Sequence, residues 1–155
     1  MHQIQLTRSL RTEADTRAFG ATLAPILHAG LVIYLRGELG AGKTTLARGI
    51  LNALGVTERI KSPTYTLVEP YNVSSLYLYH FDFYRLQRPE EWIDAGFRDY
   101  FNAGAVCLVE WPEKAGSALP AADMTIDLTA SETARDATLS ADTETGINCL
   151  RRLHS

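Results

Sequence analysis

The feature that most constrains the fold of this chain is an eight-residue string, from Gly37 to Thr44, that reads Gly-Glu-Leu-Gly-Ala-Gly-Lys-Thr. The string matches G-x-x-x-x-G-K-[ST], the phosphate-binding loop that connects a β-strand to the N-terminus of an α-helix. An apolar run of strand length occupies 31–35, and apolar residues follow the loop at helical spacing from Thr44 to Leu54. Gly55 then suits the C-cap of that helix. Strand, loop and helix in this order predict a domain that binds a nucleoside triphosphate, and a glycine turn between two ordinary elements is the alternative.

The residue types in the loop explain why it predicts phosphate binding. Glycine lets the backbone adopt positive φ and approach a phosphate closely. The backbone N–H groups, together with the positive end of the helix, then surround the anion. We expect Lys43 to reach the β- and γ-phosphates and the Thr44 hydroxyl to hold Mg²⁺. The predicted nucleotide-binding residues of the string are Gly37, Glu38, Leu39, Gly40, Ala41, Gly42, Lys43 and Thr44.

The size and composition of the chain limit the classes of protein to consider. Its 155 residues, 46% of them hydrophobic, predict one compact domain over 1–155 with a substantial core. A net charge of −3 does not favour direct binding of DNA or tRNA. Cys107 and Cys149 have neither the spacing of metal ligands nor that of a disulfide framework. No segment has the length and apolar character of a signal peptide or a membrane span, so we expect a cytoplasmic protein with no membrane partner.

The apolar pattern of the rest of the chain predicts a mixed sheet. Strands are predicted over 2–7, 31–35, 64–71, 76–83, 105–109, 124–128 and 137–141. Helices are predicted over 13–29, 44–54, 89–95, 97–103 and 147–153, although Pro25 indicates that the first of them kinks or ends early. We expect 64–71 and 76–83 to form a hairpin, and 124–128 and 137–141 to lie as antiparallel strands at one edge. The predicted fold class is α/β, a single-domain P-loop NTPase sandwich with a parallel core and antiparallel edge strands.

Two carboxylates end predicted strands and are candidates to complete the site. Glu110 follows the apolar run 106–109, and Asp82 lies near the end of strand 76–83 among aromatic residues. A carboxylate in such surroundings is costly unless it is paired or binds a metal, and Mg²⁺ requires oxygen ligands beyond the loop. We expect Asp82 near Mg²⁺, directly or through water, and Glu110 at the metal or orienting the attacking water. The alternative for each is a salt bridge with an arginine such as Arg85, or an exposed strand end.

Three residues near these acids have more than one interpretation. His80 lies two residues before Asp82 on the same strand face, where it either hydrogen-bonds a metal ligand or is a structural histidine. Arg85 either stabilises phosphoryl charge or pairs with Asp82. Trp111 follows Glu110 directly; packing into the core is the simpler interpretation, and stacking on a ligand or partner is the alternative.

A further candidate segment consists of Ser62, Pro63 and Thr64. It lies between the predicted P-loop helix and the next strand, where many P-loop proteins keep a mobile loop that senses the γ-phosphate. A plain turn fits the same residues equally well.

Four ordered strings resemble the TsaE (YjeE) family, the small bacterial P-loop ATPases needed to make threonylcarbamoyladenosine in tRNA. They are G-E-L-G-A-G-K-T-T-L-A-R-G at 37–49, S-P-T-Y-T-L-V at 62–68, H-F-D-F-Y-R-L at 80–86 and V-E-W-P-E at 109–113, followed by Leu119-Pro120. Many families share the first string, whereas the others in this order and spacing are far more specific. The chain departs mildly from the family at Tyr65, which is usually Phe, and in the run before Glu110, which is usually rich in Ile or Leu.

The resemblance implies a slow ATPase that uses ATP and Mg²⁺ and works with the TsaD and TsaB proteins. Those two partners carry out the transfer of the threonylcarbamoyl group to adenosine, and the ATPase cycle supports turnover of their complex. Contact with tRNA is implied only indirectly.

The resemblance also implies roles for single residues. The implied catalytic residues are Glu110, Asp82 and Lys43, the implied metal ligands are Thr44, Asp82 and Glu110, and Thr45 joins the nucleotide-binding set. Ser62, Pro63 and Thr64 match a switch-like loop, and Trp111 matches a functionally important neighbour of the site.

Two other function classes compete with this one. A small-molecule P-loop kinase needs an acceptor pocket and commonly an arginine-rich lid, and the segment after the P-loop helix has only Arg59 and Lys61 before Ser62. A binding module, in which nucleotide is an assembly signal, needs no hydrolysis in cells. A GTPase is least favoured because neither an N-K-x-D nor a D-x-x-G string occurs.

Overall fold

The strands of this protein form one mixed sheet. The computed structural model describes residues 5–38, 40–57, 60, 63, 66–73, 76–130 and 135–154. Within these residues the strands are β1 (Gln5–Leu10), β2 (Val32–Arg36), β3 (Val68–Val73), β4 (Leu76–Asp82), β5 (Ala105–Glu110), β6 (Met124–Ala130) and β7 (Arg135–Ala141). The α-helices are α1 (Glu13–Leu23), α2 (Lys43–Leu54), α3 (Glu90–Asp94) and α4 (Glu144–His154), with 3-10 turns at Ala24–Ile26, Phe97–Tyr100 and Pro112–Lys114.

The sheet has a parallel centre and antiparallel edges, as predicted. The strand order is β1-β7-β6-β2-β5-β4-β3. Parallel pairs join β6 to β2, β2 to β5 and β5 to β4. Antiparallel pairs join β1 to β7, β7 to β6 and β3 to β4, so the predicted hairpin of β3 and β4 is confirmed. The loop-bearing strand β2 therefore lies inside the sheet, with a parallel neighbour on each side.

Strand β6 differs from the prediction, because it is parallel to β2 and belongs to the central block. The alternation of polar and apolar residues does not encode strand direction. Direction depends here on the connection over 111–123, which is long enough to return the chain to the end of the sheet where β5 began. Asp123 fixes the start of β6 there: its N–H donates to the Val32 carbonyl at 2.8 Å and its Oδ2 accepts the Val32 N–H at 2.9 Å.

Among the predicted boundaries that differ from the structure, two differ for local reasons. The first helix ends at Leu23, and the chain continues as the 3-10 turn Ala24–Ile26, as expected from the proline in that turn. Strand β3 begins at Val68 rather than at 64, and Leu67 before it has a φ of 67°, which no regular strand contains. Positions 64 and 65 lie outside the described residues.

Each face of the sheet carries its own hydrophobic cluster, and β5 contributes to both. Val106 and Leu108 belong to the cluster that includes residues of α1 and α2, whereas Cys107 and Val109 belong to the cluster around Trp92. All six residues of β5 are buried, as expected from the apolar run in this predicted strand. Burial raises the pKa of the Cys107 thiol to about 12, as expected for a cysteine that acts as a small apolar side chain.

Close packing of α1 against α2 holds the loop-bearing helix on the sheet. A Cβ atom added at Gly20 would lie 2.4 Å from the carbonyl oxygen of Leu46, and one added at Gly49 would lie 2.2 Å from the carbonyl oxygen of Arg17. Both distances are well inside van der Waals contact, so the two helix backbones meet at these glycines. Across the described ranges, no helix is both long enough and apolar enough to cross a bilayer.

We predict that Gly49→Ala destabilises the protein by about 1–3 kcal/mol, because the added methyl group overpacks the contact between the helices. Without the contact, alanine would favour the helix by about 1 kcal/mol. Urea unfolding measures the difference. Gly104→Ala is the matched control, since its Cβ would meet only the Asn102 side-chain oxygen at 3.4 Å. Equal loss of stability in both variants, or none in Gly49→Ala, would contradict the close approach of α1 and α2.

Candidate active site

The phosphate-binding loop leaves β2 and enters α2 in the conformation that its glycines allow. The φ angles are 151° at Gly37, 81° at Gly40 and 106° at Gly42, so all three predicted glycines have positive φ. Gly42 is the N-cap of α2, and no side-chain cap bonds the first turn of that helix. The N–H groups of this turn therefore face the loop as donors for an anion. Leu39, also predicted to bind nucleotide, lies outside the described residues.

Lys43 is folded back over the loop. Its Nζ donates to the carbonyl oxygens of Gly37 and Glu38, the second at 3.3 Å. The same Nζ lies 4.1 Å from the centroid of the Trp111 ring, within the range of a cation–π interaction. The ammonium group is thus held at the mouth of the loop, between backbone carbonyls and an aromatic face.

The surroundings of Lys43 have two opposite effects on the pKa of its ammonium group. Burial lowers the pKa of the ammonium group, whereas the nearby carboxylates of Glu110, Asp82, Glu113 and Glu38 raise it. Lys43 is only 5% exposed. A cation at this depth is favourable only where negative charge faces it, so the surroundings of Lys43 are suited to a bound anion as well as to the acids already there.

The two predicted acids lie together at the carboxyl edge of the sheet. Asp82 and Glu110 are cross-strand partners at the ends of β4 and β5, and they are 5% and 2% exposed. The Thr44 hydroxyl oxygen lies 3.3 Å from each carboxylate oxygen of Glu110. Asp82 accepts the backbone N–H of Tyr84 on Oδ1 at 2.9 Å. The structure therefore brings Lys43 and Thr44 beside both acids, and Thr45 follows as the next, half-buried residue of α2.

One cavity of about 270 Å³ joins the loop to these acids. Its lining consists of Gly40, Ala41, Lys43, Thr44, Asp82, Tyr84, Arg85, Glu110 and Trp111. A second cavity, of about 540 Å³, lies on the β6 side of the loop and shares Trp111 with the first. The P-loop and the acids thus open onto the first cavity together.

Trp111 lies both against the core and at the cavity. It packs against the cluster around Trp92 and also lines the cavity, where its ring centroid lies 5.0 Å from that of Tyr84. Its backbone is left-handed, with φ 57° and ψ 50°. This conformation is uncommon for a bulky residue, and it turns the chain immediately after Glu110.

The predicted switch segment is described only at Pro63, because Ser62 and Thr64 lie outside the described residues. Pro63 is buried, and its carbonyl oxygen accepts the N–H of Leu67 at 2.8 Å. The Leu67 carbonyl in turn accepts the N–H of Asp82 at 2.9 Å. Two backbone hydrogen bonds therefore connect this segment to the acid that ends β4.

The family model described as "Threonylcarbamoyl adenosine biosynthesis protein TsaE" matches residues 10–137. The chain belongs to the TsaE family. A TsaE from Haemophilus influenzae is 45% identical over 150 residues, which cover 94% of this chain and 95% of that protein. A TsaE from Treponema pallidum is 40% identical over 118 residues, 76% of this chain and 87% of that protein. The predicted family is confirmed, and these relatives are named for tRNA threonylcarbamoyladenosine biosynthesis.

A solved structure supports the same assignment at the level of the fold. The crystal structure of YdiB from Bacillus subtilis matches with a TM-score of 0.85 and 30% identity, and the match covers 99% of this chain and 97% of that one. This TsaE family member and YdiB therefore share their fold over almost the whole length of both chains. This protein is thus a member of a family involved in tRNA threonylcarbamoyladenosine biosynthesis.

The sequence alone did not indicate two residues that lie beside the site of this TsaE family member. Tyr84 lines the cavity and contacts Trp111, and its position two residues after Asp82 in the string at 80–86 is the signal that could have indicated it. Arg135 begins β7, and its Nη1 lies 3.9 Å from where a Cβ of Gly42 would be. No local pattern marks Arg135, because only the sheet order brings β7 near the loop.

We predict that Trp111→Gly is more stable than Trp111→Ala by about 1 kcal/mol, because only glycine adopts left-handed backbone without strain. Both variants lose the contact with Lys43, so the difference in stability between them reports the backbone strain at position 111. Urea midpoints measure the difference. At the exposed helical residue Asn52 the order of stability should reverse, with Asn52→Ala more stable than Asn52→Gly by about 1 kcal/mol. An equal or more stable Trp111→Ala would show that the backbone at this position relaxes.

Proposed function

We propose that this chain is a Mg²⁺-dependent ATPase that supports turnover of the TsaD–TsaB complex in the cytoplasm and does not itself transfer the threonylcarbamoyl group. The observation that carries the proposal is the meeting of Lys43 and Thr44 with Asp82 and Glu110 at one cavity. A loop alone would bind a nucleotide, whereas two buried acids beside it supply groups that hydrolysis needs. The family supports the pathway, and the resemblance of the motif strings supports the two partners.

The binding half of the proposal rests on the loop and the first turn of α2. We assign the phosphates to the N–H groups of 37–45 and to Lys43, whose Nζ now donates to two loop carbonyls. Phosphate oxygens are stronger acceptors than neutral carbonyls. Lys43 would therefore exchange those bonds for bonds to the β- and γ-phosphates, and its charge would stabilise the negative charge on them.

The residues present also fit Mg²⁺. Among the described residues, no group of three or more His, Cys, Asp or Glu side chains could hold a metal ion. Mg²⁺ does not need such a group, because it is held through one or two carboxylates and completes its shell with water and substrate phosphates. Thr44 and Asp82 would be the protein ligands, and Glu110, whose carboxylate lies 3.3 Å from the Thr44 hydroxyl, would border the same position. The ion would neutralise charge on the phosphates, and every donor in this set is oxygen.

Glu110 is the residue we propose as the general base. Its carboxylate is buried, adjoins Thr44 and borders the cavity, so it can accept a proton from a water placed beyond the γ-phosphate. Asp82 is proposed to hold the metal, directly or through water. Arg85 lines the same cavity, where it would face phosphoryl charge.

We predict that Glu110→Gln lowers kcat for ATP hydrolysis by about 100-fold, since a general base contributes about 10²- to 10⁴-fold. Asp82→Asn should lower kcat and raise the Mg²⁺ concentration required, and Lys43→Ala should weaken ATP binding. Steady-state hydrolysis and calorimetric titration separate these effects.

The control variants are Glu90→Gln and Asp94→Asn, which make the same chemical changes at exposed acids of α3, away from the site. They should leave kcat, the Mg²⁺ requirement and ATP binding unchanged. Unchanged hydrolysis in both acid variants of the site would reject the assignment.

We also predict that TsaD and TsaB together with tRNA stimulate ATP hydrolysis by this chain, and that Glu110→Gln abolishes the stimulation. Chelation of Mg²⁺ by EDTA should stop hydrolysis with or without the partners. An equal rate of hydrolysis with and without the partners would indicate a P-loop protein with a different function. Transfer of the γ-phosphate to a metabolite would instead favour the kinase. Full modification activity in cells that carry Glu110→Gln would favour a nucleotide-dependent binding module.

A further inference from the structure

His80 lies against the proposed general base from inside the protein. It is on β4 two residues before Asp82, and therefore on the same face of the strand. Across the sheet its partner is Leu108, so Glu110 is its diagonal neighbour on β5. The His80 Nε2 atom lies 2.6 Å from Oε2 of Glu110. The two side chains are 0% and 2% exposed, so this contact is fully removed from solvent.

The hydrogen-bond pattern around the ring indicates which nitrogen donates. Among the described residues, nothing forms a hydrogen bond with the buried Nδ1 of His80. A proton on Nδ1 would therefore be a buried donor without an acceptor, which is unfavourable. A proton on Nε2 lies between the ring and a carboxylate oxygen, where it makes a charge-assisted hydrogen bond. The Nε2–H group of His80 thus donates to Oε2 of Glu110.

We propose that His80 is a positioning residue, which holds Oε2 of Glu110 from within the core so that the carboxylate keeps one orientation beside Thr44 and the cavity. A glutamate side chain has three rotatable bonds, and the contact of 3.3 Å to Thr44 alone leaves rotation about the last of them open. The short bond to His80 removes that freedom. This inference rests on the proposed ATPase function, and it names a residue that touches neither nucleotide nor metal.

A pair of substitutions keeps or removes the donor to Glu110. In His80→Gln the amide nitrogen takes the place of Nε2 and can still donate to Glu110. In His80→Asn the amide nitrogen takes the place of Nδ1 and is too short to reach the carboxylate. Packing alone would also favour glutamine, which is closer to histidine in volume, so the pair is measured together with ligand affinity and in the Glu110→Gln background.

The test measures kcat and KM for Mg²⁺-ATP hydrolysis by the full chain, together with the Kd for ADP. We expect His80→Asn to lower kcat about 10- to 100-fold, since misplacement of a catalytic group by about 1 Å costs about 10² in rate. KM and the Kd for ADP should stay near the wild-type values, and His80→Gln should recover most of kcat. In the Glu110→Gln background His80→Asn should cause no further loss, because the two residues act as a unit. Equal kcat in the Gln and Asn variants, or additive losses, would overturn the proposal.

A second measurement does not require a folded His80 variant. NMR of the wild-type chain with ¹⁵N-labelled histidine should show His80 as the Nε2–H tautomer, with a ring proton that exchanges slowly with solvent. That proton signal should move in Glu110→Gln, which replaces a charged acceptor by a neutral one. An Nδ1–H tautomer, or a signal indifferent to Glu110→Gln, would overturn the inference. Absence of ATP hydrolysis by the wild-type chain, with the expected tautomer, would instead count against the proposed function.

Discussion

The parallel pairing of β2 with β5 is the constraint on which the geometry of the site depends. Parallel strands end at the same edge of a sheet, so the loop that follows β2 emerges beside Glu110, the last residue of β5, which is the register partner of Leu35. The parallel pairing of β4 with β5 then places Asp82 opposite Glu110. Strand direction and register alone thus bring the loop and both acids to one edge, and an antiparallel β5 would place its carboxyl end on the opposite side of the molecule.

That arrangement buries charges of both signs in a small volume. Lys43, Asp82 and Glu110 are between 2% and 5% exposed. An isolated charge at this depth is strongly unfavourable, and the carboxylates around Lys43 counter the lowering of its pKa by burial. The carboxylates therefore stabilise the Lys43 ammonium group, and this explains how a buried lysine is tolerated at the end of the loop. Phosphates with Mg²⁺, as proposed, would enter a site that holds charges of both signs.

Two side chains contact the Glu110 carboxylate, and the chain turns directly after it. His80 contacts its carboxylate from the core, Thr44 contacts it from α2, and the left-handed turn at Trp111 directs the chain away immediately after it. Left-handed backbone at a tryptophan is sustained only where the surroundings hold it. Here the ring packs between Tyr84 and the Lys43 ammonium group. The acid that we propose as general base is thus held by contacts from β4 and α2, a feature that suits a group whose task requires one orientation.

The sequence by itself determined the features that contiguous residues encode. The loop string predicted the positive φ angles of its glycines and the start of α2, the apolar run predicted the buried strand β5, and the acids at 82 and 110 were found because strand ends are recognisable in the chain. Tertiary structure alone decided the direction of β6, the approach of Arg135 to the loop, the turn at Trp111 and the bond between His80 and Glu110. Periodicity reports only whether a residue faces the core. Direction, register and diagonal contacts arise when segments far apart in the chain are buried together, and no local pattern contains that information.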